Sequence, residues 1–133
     1  MNDQPDDNDL KAMGERTRRE VLGDSHVDRS IANMSEFDRP FVEFLTRTAW
    51  GGVWSSPALS RRERSMITIA LLAALGREEE LALHIRATAN TGASAQDIRE
   101  ALMHVGVYAG IPAANSAFRI ARKILSEREE DGQ

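Results

Sequence analysis

Glu79-Glu80-Leu81-Ala82-Leu83-His84-Ile85-Arg86-Ala87-Thr88-Ala89-Asn90-Thr91-Gly92 reads as an amphipathic helix, and the placement of its polar residues organises the rest of the chain. At helical spacing Glu78, Glu79, Ala82, Arg86 and Asn90 share a broad arc that is expected to face water. Opposite them lie Glu80 and His84, one turn apart, flanked by Leu81 and Thr88 on one side and by Leu83 and Ala87 on the other. The pattern therefore predicts a carboxylate and an imidazole aimed at the interior. Burying such a pair costs several kcal/mol unless each group finds a partner. It has two readings: a histidine satisfied by its helical neighbour in an ordinary core, or a carboxylate-oriented imidazole that moves a proton near neutral pH.

The flanking sequence supplies helices and little else. Leu10, Met13, Thr17 and Val21 form a narrow apolar stripe over about Asp9 to Leu22, which Gly23 ends. His26 to Asn33 fits a short helix with Val27 and Ile31 as its apolar pair. Ser35 can cap a helix to about Trp50 whose inner face is Phe37, Phe41, Phe44, Leu45 and Thr48. Trp50-Gly51-Gly52-Val53-Trp54-Ser55-Ser56-Pro57 reads as a loop carrying both tryptophans, which either plug a core from its edge or wall a pocket. Ser60 and Glu63 make a capping box before a helix that runs to Leu75 and is apolar on nearly every side after Met66, so it is expected to be the most buried.

Arg64, on the face of Thr68 and Leu71, is the first candidate for an anion clamp, because a guanidinium fits a carboxylate bidentately. Ser94 and Asp97 start another helix with Ile98, Leu102, Val105 and Ala109 inward, Tyr108 beside that face and His104 toward water. Pro112 suits the first turn of a last helix rich in small residues: Ala113, Ala114, Ala117 and Ala121.

About six helices, short glycine-bearing connections and no strand signal predict an all-α fold. The expected organisation is an acidic disordered segment over 1–8, one helical domain over 9–127, and a charged tail over 128–133. With 133 residues the chain suits one core, and 41% hydrophobic and 29% charged residues describe an ordinary globular protein. The net charge of −4 argues against a nucleic-acid partner, and the absence of cysteine removes disulfides and thiol chemistry. No apolar run approaches the length of a membrane span and no signal peptide is visible, so no membrane partner is expected and the expected location is the cytoplasm. Apolar surface on the front helices exceeds what one small core needs, which points to a homo-oligomer.

Gly14, Arg18 to Gly23, His26-Val27, Ala49 to Trp54, Arg61 to Ser65, Glu80 to Arg86, Gly92 and Tyr108 to Ala114 together resemble the carboxymuconolactone decarboxylase family, within the all-helical alkylhydroperoxidase D-like superfamily. The resemblance covers about residues 14 to 125 and implies trimers or hexamers. Redox members of that superfamily carry C-x-x-C-x-x-x-H with a Gly eight residues after the His. His84 and Gly92 keep this frame, but Arg77 and Glu80 stand where the cysteines would be, which removes peroxide chemistry.

The resemblance implies decarboxylation of 4-carboxymuconolactone to the enol-lactone of 3-oxoadipate, in the protocatechuate branch of the β-ketoadipate pathway, on a small dicarboxylate lactone and without a cofactor. It assigns Glu80 and His84 to the chemistry, Arg64 to a substrate carboxylate, and Trp50, Trp54 and Tyr108 to the pocket wall. Three alternatives stand beside it: another decarboxylase or lactone-processing enzyme on the same scaffold, a noncatalytic helical oligomer, and a metal site built from Glu80, His84 and a second histidine. Three scattered histidines offer no convincing ligand set, so no metal is expected.

Overall fold

A computed structural model describes residues 4–131, and the chain divides after Ser60 into two compact units. Among the described residues there are seven α-helices and one π-helical segment, and no strand. The all-α expectation holds.

The first unit contains α1 (Asp7–Leu22), α2 (Asp24–Ala32), α3 (Arg39–Leu45) and the π-helical segment Thr46–Trp54. Asp7 and Asn8 are helical rather than part of a disordered run, because Asp6 caps α1. Its carboxylate accepts the Asp9 N–H at 2.8 Å, while the Asp9 carboxylate accepts the Asp6 N–H at 3.2 Å. Acidic side chains are stabilising at this end, where unpaired N–H groups carry partial positive charge. Residues 1–3 of the expected disordered segment and 132–133 of the expected tail lie outside the described residues. The stripe along α1 packs as its spacing predicts: Thr17 and Val21 are buried, Leu10 and Met13 half-buried.

The stretch expected to be a loop is instead helical with a widened turn. Gly51 and Gly52 read as loop residues, yet the Ser55 N–H reaches back five residues to the Trp50 carbonyl at 3.0 Å. The Ser55 hydroxyl donates to the same carbonyl at 2.7 Å, so it must accept the proton of the Thr17 hydroxyl, also at 2.7 Å. The glycines serve contact rather than flexibility. A Cβ at Gly14 would collide with the Thr46 carbonyl oxygen, and one at Gly51 with the Leu10 carbonyl oxygen. Two glycines facing in opposite directions thus let α1 and the π-helical segment touch backbone to backbone. Trp50 and Trp54 come out buried, their rings 5.3 Å apart. The expected inner face of the Phe37–Thr48 stretch does not form within the single chain: Phe37, Phe41 and Phe44 are exposed and Leu45 is half-buried, and the helix starts at Arg39, which leaves Phe37 in the turn before it.

The second unit contains α4 (Arg61–Leu75), α5 (Glu78–Thr91), α6 (Ala95–Tyr108) and α7 (Ile111–Glu130). Helix α4 packs against the other three, and α7 also against α5 and α6. Ile69, Ala73, Leu81, Ile85, Ile98, Leu102, Val105, Ala117, Ala121 and Ile124 form one core. Gly92, at φ +89°, closes α5 in the left-handed conformation its sequence position predicts. The Ser94/Asp97 capping box forms as read. Asp97 also takes both branches of the Arg62 guanidinium at 2.7 Å each. That bidentate contact, with the Ser94 N–H, holds the Asp97 carboxyl far below the usual carboxylate range and ties α6 to α4.

One expectation about this unit is corrected. Helix α4 is apolar all round but not buried all round: Ser65, Ile69 and Ala73 face the core, whereas Ile67, Leu71 and Leu75 remain exposed. Four residues apart, these three make a second apolar stripe on the solvent side.

Ordinarily, alanine in place of a helical glycine gains about 1 kcal/mol of stability. Gly14→Ala should do the reverse, costing about 3 kcal/mol through backbone collision, while Gly52→Ala, whose nearest contact would be a comfortable 3.7 Å, should keep the ordinary gain of up to about 1 kcal/mol. Urea unfolding of both variants checks this; a stabilised Gly14→Ala would disprove the close-contact account.

Candidate active site

The residues singled out from the sequence fall into both units, and each unit treats them differently. In the second unit Arg64 lies near the start of α4, Glu80 in the first turn of α5, His84 in its middle, and Tyr108 at the end of α6. His84 is half-buried and its Nδ1 is shielded from water. Its direction follows from α5, which buries Leu81, Ile85, Thr88 and Thr91 and so turns the His84 side toward the packed arc.

Glu80 shares that angular position but is exposed. The reason is its place in the helix: side chains lean toward the N-terminus, so a residue in the first turn projects past the neighbouring helices. With Glu78 and Glu79 it lies where negative charge complements the helix dipole. The interior carboxylate expected from periodicity is therefore a carboxylate at the open end of α5.

Arg64 is half-buried with its Nε shielded from water, as expected for a guanidinium lying along packed surface. The next residue, Ser65, is fully buried, and its hydroxyl meets the Thr91 hydroxyl at 2.6 Å. This pair fixes the register of α4 on α5. Thr91 lies seven residues beyond His84 on α5, so the contact of this part of α4 with α5 falls about two turns past the imidazole's own turn. Tyr108 is 86% exposed, its ring stacked on the His104 ring at 6.2 Å, so within a single chain it walls no closed hollow. His104 meets solvent as expected, with Nδ1 3.2 Å from the Glu100 carbonyl oxygen. In the first unit Trp50 and Trp54 pack on each other and are buried. Among the described residues, no group of three or more His, Cys, Asp or Glu side chains could hold a metal ion.

Sequence reasoning missed Arg128, which was assigned to a charged tail. Helix α7 runs on to Glu130, and the Arg128 guanidinium reaches α5. It donates to the carbonyl oxygens of Ile85 at 3.0 Å and Arg86 at 3.2 Å, and to the Thr88 hydroxyl oxygen at 3.3 Å. The signal was available: Ala117, Ala121, Ile124 and Arg128 continue one face at helical spacing. The Ser65–Thr91 pair had no comparable signal, because hydroxyls pair by tertiary register alone.

A sequence model of the carboxymuconolactone decarboxylase family matches residues 39–123. This chain belongs to the carboxymuconolactone decarboxylase family. Similar proteins include 4-carboxymuconolactone decarboxylase of Acinetobacter baylyi, 45% identical over 115 residues that cover 86% of each chain. Nitrosuccinic acid decarboxylase of Metarhizium robertsii is 36% identical over 120 residues, covering 90% of this chain and 84% of that protein. An uncharacterized 15.0 kDa protein of Paracoccus denitrificans is 25% identical over 108 residues. The family match spans α3 through most of α7, and so includes Arg64, Glu80, His84, Trp50, Trp54 and Tyr108 but not Arg128.

Arg128 braces the turn of α5 that follows His84. Removing its hydrogen bonds with Arg128→Gln should cost about 1–3 kcal/mol and speed amide exchange over residues 85–91. Exchange there that matches the wild type would show that α5 holds its position without the brace.

Proposed function

We propose that this protein is a cofactor-independent carboxy-lyase that converts 4-carboxymuconolactone to 3-oxoadipate enol-lactone. The observation that carries the reading is the likeness to the Acinetobacter baylyi enzyme of that name along nearly the whole chain; His84 in α5, with Gly92 closing that helix, is consistent with it. The substrate's chemistry explains how protein side chains alone suffice. The leaving carboxylate sits on a ring carbon vinylogous to the lactone carbonyl. As the C–C bond breaks and carbon dioxide departs, the electron pair flows through the ring onto that carbonyl oxygen. The resulting dienolate has furan-like aromatic character, and a proton delivered to the carbon next to the carbonyl completes the enol-lactone.

Three tasks remain for the protein: holding two carboxylates, keeping water from the one that leaves, and placing a proton. His84, half-buried and directed toward the packed side of α5, is the proton donor to carbon or to the carbonyl oxygen. Glu80, one turn earlier, orients the imidazole and supports its basicity. Arg64 takes a substrate carboxylate in bidentate fashion, and Trp50, Trp54 and Tyr108 line the site and exclude water. The reaction takes place in the cytoplasm.

The nitrosuccinic acid decarboxylase relative favours a second reading within the same chemistry. Nitrosuccinic acid is a small dicarboxylic acid whose nitro group can also receive an electron pair. Both substrates therefore carry their own electron sink, and a related carboxylated substrate of that kind is the alternative.

A homo-oligomer, trimer or hexamer, completes the proposal. It is supported by apolar side chains that a single chain leaves in water: Leu71 at 57%, Leu75 at 67%, Val107 at 77% and Ile111 at 72% exposure. Sedimentation of the purified protein should give a mass three or six times that of the 14.8 kDa chain; a monomer at micromolar concentration would overturn it.

Spectrophotometric turnover of freshly generated 4-carboxymuconolactone, beside nitrosuccinate, tests the reaction. His84→Ala should lower kcat by about 10²-fold or more, the usual scale of general acid catalysis, with the unfolding midpoint little changed. Full activity in a folded His84→Ala protein would remove His84 from the chemistry.

A further inference from the structure

The first unit holds a hollow of about 310 Å³ between α1, α2 and α3, a size within reach of small-molecule sites. One side is apolar, from Val27, Ile31, Met34 and Val42. The other carries four cationic side chains beside the carboxylates of Glu15 and Glu43, and the partners of the cations differ. Arg19 is bound to Asp24 at 3.1 Å and Asp28 at 2.9 Å, Arg39 to Glu36 at 2.9 Å, and Lys11 to Glu43 at 3.8 Å.

Arg18 has no carboxylate partner among the described residues. Its Nη2 donates to the neutral Ser30 hydroxyl at 3.0 Å, and its Nε is shielded from water with no hydrogen-bond partner among the described residues. A half-buried guanidinium held by one neutral oxygen is a costly arrangement for the protein on its own. Burial, and then the neighbouring Arg19 charge, lower its affinity for the proton, which has the same physical origin: the positive charge lacks compensation.

We propose that this hollow is a binding site for a small organic carboxylate with a compact apolar body. Its head lies on the Arg18 guanidinium and its body against Val27, Ile31, Met34 and Val42. The guanidinium supplies charge and planar donor geometry, which a carboxylate matches better than a neutral amide. The apolar wall supplies the selectivity that separates an organic acid from an inorganic anion. The proposal concerns the first unit's own groups and does not depend on the decarboxylase reading, because its readout is binding and not turnover.

The test uses the full-length protein with benzoate as probe, benzamide as the uncharged analogue of the same shape, and inorganic phosphate as an anion without an apolar body. Binding is followed by calorimetry and by the NMR signal of the Arg18 Nε–H. Benzoate should bind and shift that signal, with benzamide and phosphate each at least about tenfold weaker. Arg18→Gln should weaken benzoate by about tenfold. Met34→Trp, which fills the hollow and leaves Arg18 in place, should abolish benzoate binding and keeps the test open should Arg18→Gln fail to fold. The proposal is overturned by benzoate binding that both variants retain, by benzamide or phosphate binding as tightly as benzoate, or by no shift of the Arg18 signal at millimolar benzoate.

Discussion

The second unit depends on how closely α5 and α7 can approach the shared helix α4. Its core alternates branched aliphatics with alanine, so that Ile69, Leu81, Ile85, Ile98 and Leu102 lie against Ala73, Ala114, Ala117 and Ala121. Small residues bring helix axes close, and fully buried large ones then fill the space between them. At that separation a hydroxyl pair such as Ser65–Thr91 can form, and a long side chain such as Arg128 can cross from α7 to the α5 backbone. A histidine at the edge of such a core is held in direction without being sealed from its surroundings. The half-burial of His84 is thus a product of helix spacing before it is a feature of chemistry.

Helical periodicity made most of the fold legible. The stripes on α1, α5 and α6, the caps at Ser94 and Gly92, and the proline in the first turn of α7 appear where the sequence places them, except that Ala109, expected inward, caps α6 and is exposed. Periodicity failed where a residue's meaning is set by another segment. Gly51 and Gly52 carry loop statistics, but one of them is a contact point for the Leu10 carbonyl, which no local rule contains. Leu71 and Leu75 look like core because hydrophobicity says nothing about which of two apolar faces finds a neighbour.

The candidate site was legible in composition and less so in depth. The 3.6-residue repeat gives an angle around α5 and gives nothing along it, so Glu80 and His84 share a direction while differing in burial. Arg128 was hidden by its neighbours Glu127, Glu129 and Glu130, whose charge suggested a solvated tail although Ile124 sits four residues earlier on the same face. Family membership assigns the scaffold, and a sequence without cysteine leaves this chain no thiol chemistry on it.

The seam between α1 and the π-helical segment sets how the first unit can drift over generations. Where side chains meet, a change on one side can be answered by a smaller or larger residue opposite. At Gly14 and Gly51 the opposing atoms are main-chain carbonyls, which no codon can shrink. Inheritance at those two sites is therefore all or nothing, while the exposed phenyl groups of Phe37, in the turn before α3, and Phe41, on α3, can be exchanged without disturbing the backbone that carries them.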